Sequence, residues 1–314
     1  MLLKDLIREV SGHNAFAFSM ADRDHPGRRG YGIEIEYDRM QEIMDVNSAL
    51  RGSRPHIHPK MLSGCPRWVV GSDGSLERGC ELFTSLRPYP PSFYEAMGML
   101  EELAPLHKKY KESWRAATQV HVDVGDYNIA DLGDMLLKYA RYEYQFFAMA
   151  GAGRTESNFC VPIWMVTDTL MGMLDAIHSV IRNPYDEDMR YNLFDRLQKW
   201  PKYMAINLLP LVSQGTVEFR HLLTPAGDGS VALMQAYLSV CSNLVGERFN
   251  QSLSTWSTDD RLSAHVSSIL NYNTNLDVLL RPWQKESSLK DEDKQAWDRM
   301  TNRLSINYVT TEQS

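Results

Sequence analysis

The chain has 314 residues, 43% of them hydrophobic and 23% charged, a composition that excludes collagen-like, coiled-coil and wholly disordered proteins. Its 33 basic and 40 acidic residues leave a net charge of −7 and a pI near 5.7, so no global positive field draws in nucleic-acid backbones. At about 150 residues per domain, the length allows roughly two domains. Cys65, Cys80, Cys160 and Cys241 lie far apart with no Cys-x-x-Cys pair, which argues for reduced thiols and against a zinc site or a disulfide framework. Met1–Val10 mixes charges into its apolar positions, unlike a secretion signal, and no uncharged apolar run reaches about 18 residues. A soluble, cytoplasmic protein with no membrane segment is expected.

An amphipathic helix opens the chain, and the turn-rich stretch Asp22–Gly30 leads to a strand in which Tyr31, Ile33 and Ile35 alternate with Gly32, Glu34 and Glu36. The Gly, Pro and Ser content of Arg51–Pro66 predicts an extended loop, and His56 and His58 stand between its prolines. Trp68–Gly71 and Cys80–Ser85 read as two strands around the turn dipeptide Asp73-Gly74. After Pro90 and Pro91, Ser92 caps a helix predicted over Phe93–Lys111, with Pro105 placed to kink or end it. Thr118–Val124 alternates strictly: valines at 120, 122 and 124 on one side, Gln119, His121 and Asp123 on the other.

Apolar residues three and four apart predict helices over Ala130–Ala150, Val166–Arg182 and Asp186–Trp200. Strands follow at Ala205–Leu209 and Thr216–Leu222, flanking Gln214-Gly215, and then a helix over Gly229–Asn250. Beyond Gln251 the sequence is polar and helical in pattern. The organisation expected is a mixed domain over residues 1–250 and a helical extension over 251–314.

The non-core faces of these strands carry groups that are costly to bury alone: Glu34 and Glu36, Glu81, His121 and Asp123, Asn207, then Glu218 and Arg220. If the strands are neighbours, several carboxylates share one surface, and repulsion with desolvation demands compensating cations. Oxygen-rich ligands favour Mg or Mn, and Arg220 beside Glu218 offers a fork for phosphate oxygens. That pairing points to a nucleoside triphosphate. A solvated acidic face with no role is the simpler alternative for any single Glu, but adjacent like charges at 34 and 36 oppose strand pairing. There is no P-loop, dinucleotide fingerprint or Gly-x-Ser-x-Gly elbow. Gly151-Ala152-Gly153-Arg154 reads either as a helix end or as a loop carrying a phosphate-binding Arg154.

In order along the chain, Gly32-Ile33-Glu34-Ile35-Glu36, Asp73-Gly74-Ser75 with Gly79-Cys80-Glu81-Leu82, Val120-His121-Val122, Lys202-Tyr203 to Asn207, and Gly215-Thr216-Val217-Glu218-Phe219-Arg220 resemble the amidoligases. These are carboxylate-amine ligases related to glutamine synthetase and glutamate-cysteine ligase. The resemblance covers about Tyr31 to Leu223. It implies an α+β fold: a curved antiparallel sheet of the glutamine synthetase-like type, helices on its convex face, and ATP with Mg ions on the concave one. It also implies Glu34, Glu36, Glu81 and Glu218 as metal ligands, Arg220 and Arg154 at phosphate, and Asn207 and His121 at the nucleotide or substrate. Asp73 and Ser75 fall at the turn that approaches the substrate. Gln119 stands where a second histidine is common in the family.

The activity implied is amide or isopeptide formation through an acyl phosphate, on small-molecule or peptide carboxylate and amine substrates, with Asp73 as the base that deprotonates the amine. Closure of the Arg51–Pro66 loop would exclude water. A metal-dependent phosphohydrolase, a guanidino-type kinase on the same scaffold and a non-catalytic binding protein are the competing expectations. No nucleic acid or membrane partner is expected.

Overall fold

The computed structural model describes residues 1–22, 28–40, 60–62, 65–71, 76, 79–84, 90–150, 154–155 and 157–246. Seven strands form one sheet: β1 (Tyr31–Tyr37), β2 (Lys60–Leu62), β3 (Cys65–Gly71), β4 (Cys80–Thr84), β5 (Ala117–Asp123), β6 (Ile206–Asn207) and β7 (Thr216–Leu223). They lie in the order β2-β3-β4-β1-β5-β7-β6, and every neighbouring pair is antiparallel. The helices are α1 (Leu3–Ser11), α2 (Phe93–Glu101), α3 (Ala104–His107), α4 (Ile129–Ala150), α5 (Thr167–Arg182), α6 (Glu187–Gln198), α7 (Leu209–Ser213) and α8 (Ser230–Gly246), with a 3₁₀ turn at Ile163–Val166. The mixture of helix and antiparallel sheet agrees with the α+β expectation. Among the described residues no helix is long and apolar enough to cross a membrane.

Period-two patterning decides which side of the sheet meets the helices. Ile33 and Ile35 of β1, Val120 and Val122 of β5, and Val217 and Phe219 of β7 are all buried in one core with α2, α4 and α8. Phe146 of α4 stacks on Phe219, ring centroids 5.6 Å apart and planes 7° from parallel, and also meets His221 at 4.8 Å. Hydrogen bonds fix the layers in register: the Tyr31 hydroxyl and Ser242 Oγ lie 2.6 Å apart, and the Trp68 indole donates to the Met99 carbonyl at 3.1 Å.

Local chemistry explains where the elements differ from the sequence pattern. The helix predicted over 93–111 is two pieces: α2 starts at a Ser92–Glu95 capping box and stops at Glu101, and α3 restarts with Pro105 in its first turn. The predicted strand 205–209 shrinks to β6, because the Asn207 side chain accepts from the Leu209 amide (3.0 Å) and Pro210 opens α7. The expected loop 51–66 gives up Lys60–Leu62 and Cys65–Pro66 to strands, since Trp68–Gly71 is already paired with β4 and the ladder extends backwards. The rest of that loop, His56, His58, the Asp73-Gly74-Ser75 turn, Gly151–Gly153 and the extension 251–314 lie outside the described residues, so the proposed domain boundary does too.

Two devices finish the sheet's ends. Asp123, the last residue of β5, accepts from Ser19 Oγ (2.7 Å), the amides of Met20 (2.6 Å) and Ala21 (2.9 Å), and the Gly125 amide (2.9 Å), fastening the N-terminal segment across the strand ends. Beyond β6, Val161 forms a single parallel bridge with Met204: its amide donates to Tyr203 (2.7 Å) and its carbonyl accepts from Ala205 (2.8 Å).

Removing the ring at the centre of the helix-facing layer tests this packing. Phe146→Ala is expected to destabilise the fold by about 3–5 kcal/mol. In urea unfolding this reads as a lower midpoint with an unchanged slope, and a shift within error of zero would mean the ring does not hold α4 to β7.

Candidate functional site

The register assembles the site on the sheet face opposite the helices. Glu36 lies across from Glu81, Glu34 from Gln119, His121 from Glu218, and Glu218 from Asn207. Directly paired residues point to the same side, so residues from five strands share one face, and Arg220, two positions past Glu218, joins them. All of β5 is buried, its polar side included. On this face the acids are crowded, and Glu34, Glu36 and Glu218 each have a donor or cation.

One ligand atom from each of Glu34, His121 and Glu218 lies within 4.8 Å of the other two. His121 is 3% exposed, and its Nε2 lies 3.2 Å from Glu34 Oε1. Its Nδ1 is 3.1 Å from Thr216 Oγ1. With Nδ1 donating to Thr216, the Nε2 lone pair faces the two carboxylates, the arrangement of an oriented metal ligand. The local field favours a cation there. Burial opposes the charged imidazole, but Glu34 and then Glu218 overcome it and raise the His121 pKa. Burial likewise opposes ionisation of Glu34, yet the His121 charge, helped by hydrogen bonds from His121 and Glu81 and by Arg220, brings its pKa down to about 2. The attraction that retains a proton on His121 would retain a divalent ion in its place. An imidazole among carboxylates suits Mn as well as Mg.

A second set of contacts borders this triad. Glu36 accepts from Gln119 Nε2 (2.7 Å) and from the Ala117 amide (2.8 Å). Gln119 Oε1 in turn accepts from Arg220 Nη1 (2.7 Å), which also donates to Glu218. Asn207 Nδ2 donates to the other oxygen of Glu218. Arg220 Nε points to the Phe159 carbonyl at 3.5 Å, and among the described residues its Nη2 has no hydrogen-bond acceptor. Burial lowers the Arg220 pKa, but Glu218, Glu36 and Glu34 more than compensate and hold it charged. The result is a charged guanidinium beside a candidate metal site.

The structure therefore brings together Glu34, Glu36, Glu81, His121, Asn207, Glu218 and Arg220. His121 stands in the cluster that could hold a metal ion. Both oxygens of Glu36 accept a hydrogen bond, one from Gln119 and one from Ala117. Arg154 does not join them: its guanidinium, 1% exposed, donates to the main-chain carbonyls of Arg220 (2.8 Å) and His221 (3.0 Å), bracing β7 from behind. Asp73 and Ser75 lie outside the described residues. Gln119 is the residue whose role the sequence leaves open; its place on the polar side of β5 is legible, its double partnership is not.

No protein-family model and no curated protein matches this chain.

Manganese added to the purified protein is expected to bind and to raise its melting midpoint. His121→Ala and Glu218→Gln should each weaken that binding by at least about tenfold, measured calorimetrically. Parental affinity in either variant would remove the triad as the metal site.

Proposed function

We propose that the chain is an ATP-dependent carboxylate-amine ligase that forms an amide or isopeptide bond through an acyl phosphate, on a glutamine synthetase-like sheet. The observation that carries this reading is the adjacency of two complementary groups on one carboxylate. Glu218 takes part in the triad in which His121 Nε2 meets Glu34, and it also anchors Arg220, whose Nη2 has no acceptor among the described residues and would receive an incoming anion. A divalent ion held by Glu34, His121 and Glu218 would neutralise triphosphate oxygens.

The chain's own residues account for the remainder. A carboxylate resists amines because its charge repels the nucleophile and oxide is a poor leaving group, so the acid must first be phosphorylated. Phosphoryl transfer asks the protein mainly for positioning and charge, and Arg220 supplies a planar donor held at Nη1 by Gln119 and Glu218 and at Nε by Phe159. Asn207 holds Glu218 from the edge strand, so the acid cannot swing towards solvent. Asp73 is the carboxylate proposed to deprotonate the amine. Substrates are small-molecule or peptide carboxylates and amines, with ATP and Mg or Mn as co-reactants.

Purified protein incubated with ATP, Mg or Mn, and pooled amino acids, polyamines or peptides is expected to release ADP and phosphate and to form a mass-shifted product only when carboxylate and amine are both present. Arg220→Ala and Glu36→Gln should remove turnover and still melt cooperatively. Phosphate release without any amine would replace ligation by hydrolysis, and parental turnover in either variant would displace the site.

A further inference from the structure

Behind β7, on the helix-covered side, a buried carboxylate has no place in the chemistry above. Glu143 of α4 is 2% exposed. Its Oε1 accepts from the Tyr139 hydroxyl (2.6 Å) and the Ile163 amide (2.6 Å), and its Oε2 lies 3.4 Å from the Trp164 amide. The Tyr139 hydroxyl is also 2.8 Å from His221 Nε2, and His221 Nδ1 is 3.2 Å from the Tyr237 hydroxyl. If Tyr139 donates to Glu143 and accepts from His221, and Tyr237 donates to His221, every proton in this row has a place.

The row matters because of what it fastens. The stretch from Ser157 to Val166 is held at one end by Arg154, which bonds the β7 carbonyls, and in the middle by the Val161 bridge. At the far end it is held by Glu143. Between these points lies the Phe159 carbonyl, the acceptor that faces Arg220 Nε. We propose that Glu143 is a positioning residue for Arg220: it clips the Ile163–Val166 turn to α4 and thereby sets the Phe159 carbonyl that orients the guanidinium. The proposal deepens the ligase reading only in naming what aligns its phosphate-binding arginine, and its test needs no nucleotide.

The clip depends on charge. An ionised carboxylate accepts all three donors, and a protonated one loosens its hold on the amides. Burial pushes the Glu143 pKa up to about 7, against the opposing hydrogen bonds from Tyr139, Ile163 and Trp164. The neighbouring titratable groups change charge elsewhere. Burial raises Tyr139 on the same helix and Tyr237 and Cys241 on α8, and takes Cys160 to about 12; burial and Arg154 depress His221 on β7. Arg154 is the nearby guanidinium. Because the native carboxyl holds its proton above the ordinary value of 4.5, stability falls as pH rises from about 4.5 through about 7, and then levels.

The readout is the Nε–Hε nuclear magnetic resonance of Arg220, identified by its loss in Arg220→Lys, followed from pH 5 to 9 in the full chain without metal. It is expected to titrate with a midpoint near 7 in the parent and to stay flat in Glu143→Gln, whose stability should also lose the slope through that range. Tyr139→Phe removes a donor that favours the ionised form, so it should move the midpoint to higher pH. A flat parental resonance, or the same titration in Glu143→Gln, overturns the proposal; should Glu143→Gln not fold, an unchanged midpoint in Tyr139→Phe overturns it alone.

Discussion

Like charge packed onto one side of a sheet is the constraint to which the rest of this structure answers. Glu34 and Glu36 on β1, Glu81 on the adjoining β4 and Glu218 on β7, one strand further across β5, share this face, and two unit charges about 4 Å apart repel by about 4 kcal/mol even at an effective dielectric of about 20. Three of these acids are tied to a cation or a donor: Glu34 to His121, Glu218 to Arg220 and Asn207, Glu36 to an amide and to Gln119. Gln119 is central to this, since one primary amide donates to a carboxylate with one end and accepts from a guanidinium with the other. An ionised acid at that position could only accept.

β7 shows how the fold separates stability from chemistry. Val217, Phe219 and His221 face the helices, and Thr216, Glu218 and Arg220 face the site. A slip of one residue would exchange the two sets, placing charges in the core and a phenylalanine among the acids. The aromatic stack of Phe146 on Phe219 therefore does more than fill volume; it penalises any register that misplaces Glu218. The irregularity between Thr118 and Val120, where β5 meets β7, locally resets the pairing and leaves Gln119 within reach of Arg220.

Much of this was legible in the residues themselves. Strict alternation in Tyr31–Glu36 and Thr118–Val124 gave both the strands and the side on which Glu34, Glu36 and His121 project, because a two-residue period leaves only two faces. Pro105 announced the break between α2 and α3. The partners were not legible. Nothing in the string indicates that Gln119 spans two strands to reach Glu36 and Arg220, since the sheet order that joins β5 to both β1 and β7 comes from long-range pairing. Arg154 followed a glycine pair and invited a phosphate role, whereas tertiary packing turns it onto β7 carbonyls. Glu143 lies inside the helix predicted over Ala130–Ala150, and its amide partners come only from the meeting of α4 with the Ile163 turn.

The short outer strand has a consequence for how molecules of this protein meet one another. β6 contributes two residues, is followed at once by a proline-opened helix, and is flanked by the single bridge at Val161. A flat, open margin would invite a second chain to continue the ladder, which is the usual seed of fibrous self-association. Here that margin is too brief and too obstructed to act as a template, so the border nearest the charged face resists lateral growth.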